Sequence, residues 1–170
     1  MLVRREIPAD QAAVAAVHTA AFSRGDEGQP AEVALVDALR DNGDVVPGLS
    51  LVAVAGDGVV GHVVCSRGRL DDRPSLGLGP LGVLPAHQRS GVGLALMHAV
   101  LAAADALQET EVFLLGEPAY YGRFGFVLAA PLGLLPRDPA WSEQFQVRPL
   151  AAWDPSARGT FRYAPAFDRL

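Results

Sequence analysis

Lysine is absent from this 170-residue chain, in which all 14 basic side chains are arginine. A Walker-type phosphate loop, which needs a Gly-Lys-Ser/Thr, is therefore excluded. A basic surplus is missing as well: 19 acidic side chains against 14 basic ones leave a formal net charge of -5. Such a surface cannot neutralise a run of phosphates, which argues against general nucleic-acid binding, and it is compatible with a small cationic substrate. Cys65 is the single cysteine, so no intramolecular disulfide can form and a reducing compartment is expected. No uncharged apolar run reaches the ~18 residues a membrane span requires. The alanine-rich start, "MLVRREIPADQAAVAAVHTAAF", is interrupted by Glu6, Pro8, Asp10 and Gln11 and does not form a signal peptide, so a cytoplasmic protein is expected. The histidines and the cysteine have no metal-ligand spacing, there is no Gly-x-Ser-x-Gly elbow, and no metal is expected.

Half of the residues are apolar, enough for a single domain over 1–170 with a sizeable core, and 18 glycines with 13 prolines imply many short elements. "LVRREI" (2–7) reads as a strand. Val14, Val17, Ala21 and Phe22 recur at helical spacing between Asp10 and Phe22, and a polar loop fills 23–30. A second helix opens with Pro30 in its first turn and carries Leu35, Val36 and Leu39 on its apolar stripe. Strands at 49–56 and 58–70 form a hairpin across Gly56-Asp57-Gly58. The next strand, within 75–85, is interrupted by Gly77, Gly79, Pro80 and Gly82. Pro80 has no amide hydrogen, which puts it at an edge or a bulge. Either this is an irregular edge strand, or it leaves its neighbour and exposes backbone groups to a ligand.

A long helix from about Gly91 to Leu107 sets Met97, Leu101 and Ala104 on one face, with Val100 and Leu107 beside it. "EVFLL" (111–115) is a short buried strand, "PAYYGRF" (118–124) a short helix or turn, and "FGFVLA" opens another strand. "EQFQVRPL" and "GTFRYAPAF" add one or two more. The order predicts an α+β domain: a mixed, mainly antiparallel central sheet with helices on both faces. Its one parallel pair is a right-handed βαβ crossover around the long helix, and the remaining strands read as antiparallel.

The long helix is preceded by "PAHQRSGVG", with Gly91 and Gly93 where a capping Ser, Thr, Asp or Asn is usual. The first amides of a helix lack intrahelical acceptors and sit at the positive end of its dipole, so a phosphate fits there. A Rossmann fingerprint is ruled out because Leu96 stands in place of the third glycine. On this segment alone, phosphate binding and a tight, closely packed turn are both open.

The wider pattern resembles the GCN5-related N-acetyltransferase (GNAT) superfamily. "LGVLPAHQRSGVGLALM" is similar to its acyl-CoA-binding motif, with Gln88, Gly91 and Gly93 in register. "YYGRFGF" (120–126) is similar to its second signature. The likeness covers the whole chain and is strongest to bacterial predicted acetyltransferases sharing G-[DE]-P-x-Y-Y-x-R-F-G-F and G-x-x-x-Y-x-P-x-F, here Gly116 to Phe126 and Gly159 to Phe167.

The resemblance implies the acyl-CoA N-acyltransferase fold, acetyl-CoA as cofactor, and transfer of acetyl to a primary amine by direct attack in a ternary complex. Leu81, Gly82 and Val83 would pair with the pantetheine arm, the Val83 amide would hold the oxyanion, and Gln88, Arg89, Ser90, Gly91, Val92, Gly93 and Leu94 would hold the pyrophosphate. Tyr121 occupies the general-acid position, while Tyr120, Phe124, Gly125 and Phe126 read as structure. Glu32 is a candidate base, although a first-turn Glu is also favoured by the helix dipole. Phe22, Asp26, Glu27 and Glu117 are candidates for acceptor contact. For the loop pair the alternative is solvated charge, and for Glu117 it is a cap on the short helix. His18 and His62 read as hydrogen-bonded core residues, His87 and His98 as surface residues, and Cys65 as a small buried one. A non-catalytic acyl-CoA-binding sensor is the alternative function, and Tyr121 argues against it. The acceptor, a small-molecule amine or a peptide or protein amine, is not specified by these motifs, and a homodimer is compatible with them.

Overall fold

The computed structural model describes every residue except 26, 27 and 57. Strands β1 (Leu2–Arg5), β2 (Val45–Ala55), β3 (Gly58–Leu70) and β4 (Arg73–Val83) form consecutive antiparallel pairs, and β1 is joined to β2 through helices α1 (Gln11–Phe22) and α2 (Ala31–Asp41). Helix α3 (Val92–Ala106) then crosses over to β5 (Glu111–Leu115), which lies parallel to β4. After the short α4 (Pro118–Tyr121) come β6 (Val127–Leu128), β7 (Leu134–Pro136), β8 (Phe145–Pro149) and β9 (Gly159–Arg162). Among the described residues the sheet has nine strands, with β1 to β5 followed by β8 and β6, while β9 pairs with the far end of β3 and with β7.

β3 is buried on both faces, and its alternation separates two layers. Val63 and Cys65 enter the main core with Val92, Leu96, Met97 and Val100 of α3. His62, the residue before Val63 and so on the opposite face, meets His18 of α1. Val52 of β2 joins Val14 and Val36 on this second face, beneath α1 and α2. A smaller core of stacked rings (Phe113, Phe145 and Phe161) holds the β5, β8 and β9 end together. Among the described residues, no helix is long and apolar enough to cross a membrane.

Three expectations need correction. β2 begins at Val45 rather than residue 49, because its register jumps between Val45 and Ser50. Pro47 and Gly48 lie in that irregularity and look like a loop to a period-of-two reading. β4 is paired on both sides at Leu76 and Gly77, and Pro80 stands at a bulge between the Val63 and Cys65 positions, as expected from its missing amide hydrogen. The antiparallel expectation for the later strands fails at β7, which pairs parallel to β9. Three residues between a turn and a proline are too short to show periodicity. Leu107 is 48% exposed because it is the residue after the helix, where the chain turns away at Gln108 (φ 58°). Asp57 of the expected hairpin turn lies outside the described residues.

Candidate active site

The interrupted strand opens the cleft. β4 and β5 pair only at Leu76–Val112 and Gly77–Phe113, and beyond that point β4 continues without β5. The Leu84 amide donates to Val60 of β3 at 2.9 Å, directly opposite it in the register. By antiparallel alternation the backbone groups of Gly82 also face β3, whereas those of Leu81 and Val83 face away from it, toward the gap. The Val83 carbonyl accepts from Gln88 Nε2 at 3.1 Å. The Leu81 groups and the Val83 amide are left as a bare strand edge inside the fold.

At one end this edge runs into the start of α3. Gly91 is the residue before the helix and has φ 91°, a left-handed conformation that costs a side-chain-bearing residue ~1–2 kcal/mol. The first intrahelical bond is Ala95 N–H to Gly91 O. Among the described residues, the amides from Arg89 to Leu94 donate to no protein acceptor. They border a cleft of about 530 Å³ that Arg89, Arg123 and Tyr120 also line. A Cβ on Gly93 would lie 3.1 Å from Tyr120 Oη, so this glycine makes room for a protein hydroxyl as well as opening the helix start.

At its other end the edge enters a second cleft of about 380 Å³, where Leu81 and Tyr121 both form part of the wall. Burial, and then the neighbouring Tyr120 phenol, push the Tyr121 phenol up to about 12, so it carries its proton at neutral pH. The ring is held edge-on by Tyr120 at 4.9 Å and by Phe126 at 5.9 Å. A Cβ on Gly116 would come within 2.3 Å of Tyr121 Cε2, so that glycine is the space into which the ring fits. Phe22 and Glu32 reach the same cleft from the ends of α1 and α2 that face each other. Glu117 takes the capping alternative: its carboxylate accepts from Ala119 N–H at 3.4 Å, and it does not line the cleft. Asp26 and Glu27 lie outside the described residues.

Known proteins share this fold. An acetyltransferase (GNAT) domain model matches residues 47–128. The N-acetyltransferase YhbS of Escherichia coli strain K12 is 35% identical over 154 residues, covering 89% of this chain and 88% of its own. The chain belongs to the GNAT acetyltransferase family. The crystal structure of E. coli YhbS in complex with CoA superposes with a TM-score of 0.90 at 34% identity, covering 99% of this chain and 92% of that one. A GNAT acetyltransferase from Brucella melitensis in complex with acetyl-CoA gives 0.81 at 32% identity, with 98% and 97% covered.

Within this GNAT fold, a buried polar chain supports β4 from behind. Glu6 accepts from the Ser50 hydroxyl and is paired with Arg40. His62 Nε2 lies 2.9 Å from Ser50 Oγ and 3.3 Å from Glu6. His62 Nδ1 meets His18 Nε2 at 2.8 Å. With Ser50 donating to Glu6, His62 carries its proton on Nε2, His18 on Nε2, and the His18 Nδ1 lone pair ends without a partner. That atom lies against Gly82, where a Cβ would approach to 2.8 Å. Burial, then His62 and Arg40, hold His18 down to about 3. His62 is lowered chiefly by burial against the opposing pull of Glu6. Burial would raise the Glu6 carboxyl, but the His62 and Ser50 hydrogen bonds and Arg40 outweigh it and hold it at about 2. Both histidines are the hydrogen-bonded core residues expected. Cys65 is fully buried, with its thiol pushed up by burial.

Three contributors were not found in the sequence. Arg123 turns its guanidinium over the Tyr120 ring at 4.7 Å and lines the α3 cleft, and its place inside the aromatic signature was the available signal. Trp141 lines the Tyr121 cleft from a segment with no spacing relation to it, whereas Tyr163 does so from within the Gly159 to Phe167 signature, where its place in the motif was the available signal.

Proposed function

We propose that the protein transfers the acetyl group of acetyl-CoA to a primary amine by direct attack within a ternary complex. One observation carries the reading: the unpaired edge at Leu81 and Val83 is continuous with bare helix-start amides at one end and with a Tyr121-lined cleft at the other. The donor set fits the cofactor part by part. The Leu81 groups and the Val83 amide suit the amide-rich pantetheine arm as an added pseudo-strand. The amides of Arg89 to Leu94, with the Arg89 and Arg123 guanidinium groups, suit a pyrophosphate. The CoA and acetyl-CoA held by the two relatives support the same assignment.

Bound acetyl-CoA supplies an acetyl thioester, whose C–S bond breaks as the C–N bond to the amine forms. The ammonium releases one proton before attack and a second with bond formation, and the departing sulfur takes up one. Tyr121 holds the proton for the sulfur, its phenol being raised to about 12 and so protonated across the working range. The Val83 amide, unpaired on the cleft side, is a donor for the carbonyl oxygen. Glu32, the acidic lining residue, attracts the ammonium and takes its proton directly or through water. No Ser, Thr, Cys or His lines the Tyr121 cleft among the described residues, which supports direct attack over an acyl-enzyme.

Acetyl-CoA should raise the melting temperature while NAD and ATP do not, and equal shifts from all three would remove the cofactor argument. Tyr121→Phe should lower kcat by about 100-fold with acetyl-CoA binding retained. Unchanged turnover would reduce the tyrosine to packing.

A further inference from the structure

We propose that the acceptor is a small monoamine carrying its amino group on an aromatic or bulky aliphatic body, bound in the cleft beyond Tyr121. This inference rests on the acetyltransferase reading above and narrows its substrate class. The cleft has a volume of about 380 Å³, part of it shared with the thioester end at Leu81, which leaves room for a compact organic molecule rather than a flat peptide track. Phe22, Leu35, Trp141, Tyr163 and Phe167 wall it from four separate parts of the chain. Trp141, at 38% exposed, leaves part of its ring open to solvent in that wall. Among the described residues, Glu32 is the one charged side chain in the wall. An acceptor with several ammonium groups would find no second charged side chain in this wall among the described residues, at a steep desolvation cost.

A second, independent observation lies deeper. The Tyr163 hydroxyl is sealed from solvent and has no hydrogen-bond partner among the described residues, although the Leu115 amide lies nearby without reaching bonding geometry. Its ring packs against Gly77, where β4 and β5 are about to part, and against Phe167 at 4.6 Å. Burial, then the neighbouring Tyr121 phenol, push its titration up, so it stays a neutral hydroxyl. An orphaned buried hydroxyl is costly in the free protein and is satisfied by a polar atom that arrives with a ligand. Among the described residues the wall thus offers one side-chain carboxylate for the ammonium and aromatic surface for everything else, with the Tyr163 hydroxyl sealed directly behind it.

The test is acetyl-CoA-dependent thiol release with phenethylamine, tryptamine and isoamylamine, set against spermidine, kanamycin and a lysine-containing peptide. At least one of the first three should exceed all of the second three in kcat/KM by tenfold or more. Trp141→Ala should raise KM for that amine about tenfold, and Tyr163→Phe should lower its kcat/KM severalfold. Acetyl-CoA should still raise the melting temperature of both variants, showing that they fold and take up the donor. If spermidine, kanamycin or the peptide is preferred, the acetyltransferase reading stands and this inference falls. If hexanoyl-CoA displaces acetyl-CoA as preferred donor and the apolar amines gain nothing, the cleft serves the acyl chain and the inference is overturned. If acetyl-CoA binds and no amine reacts, both readings fail together.

Discussion

Mild acid should destabilise this protein through His18, and the size of the effect follows from the burial of its ring. His18 is fully buried, and its ordinary value of 6.5 falls to about 3 in the fold, through burial first and then through His62 and Arg40, with Glu6 opposing. In the unfolded chain the ring is free to protonate near 6.5. Below that pH the unfolded state therefore binds a proton that the native state refuses, and stability must fall as pH falls. Between pH 7 and pH 5 the loss from this one group is about 2 kcal/mol, and it continues to grow toward pH 3. His62 is lowered in the same sense and adds to it. Glu6 acts in a separate, lower window: its carboxyl falls from 4.5 to about 2, so its contribution is intact above 4.5 and is lost as pH falls toward 2. Urea unfolding at pH 7, 6 and 5 measures the slope directly. His18→Gln should flatten that slope by about one proton, whatever it does to the stability at pH 7. Equal unfolding free energies at pH 7 and pH 5, or an unchanged slope in the variant, would refute a neutral buried His18.

Three further outcomes test the site. Gly116→Ala places a methyl group where the Tyr121 ring lies 2.3 Å away, so turnover should drop at least tenfold while acetyl-CoA affinity changes little. Equal turnover in a steady-state assay would mean that the ring position is not critical. Arg123→Ala removes one of the two guanidinium groups lining the α3 cleft; by calorimetry it should weaken CoA binding by ~10–100-fold, the span of a charge-assisted hydrogen bond. Gly91→Val meets no atom within 4 Å but forces a β-branched residue to φ 91°, so it should cost ~1–2 kcal/mol of stability and weaken CoA binding as well. Retained CoA affinity would place the phosphates elsewhere.

Much of this architecture was readable along the chain because it rests on local signals. The helical spacing of Leu35, Val36 and Leu39, the βαβ order around α3 and the breakers within β4 each express a short-range rule of backbone and burial. The bare amides ahead of α3 were legible too, since a glycine-rich helix start has the same electrostatics wherever it stands. Even the buried character of His18 and His62 followed from the apolar faces they share.

The acceptor cleft was decided elsewhere. Trp141 and Tyr163 meet Phe22 across more than a hundred residues of chain, and no periodicity links them. The same holds for the run from Glu6 through Ser50 and His62 to His18, which exists only because β2, β3 and α1 stack in register. Backbone preference acts over a few residues, so elements and phosphate-ready turns are written locally. A cavity wall or a buried proton chain depends on side chains that become neighbours only when the sheet closes.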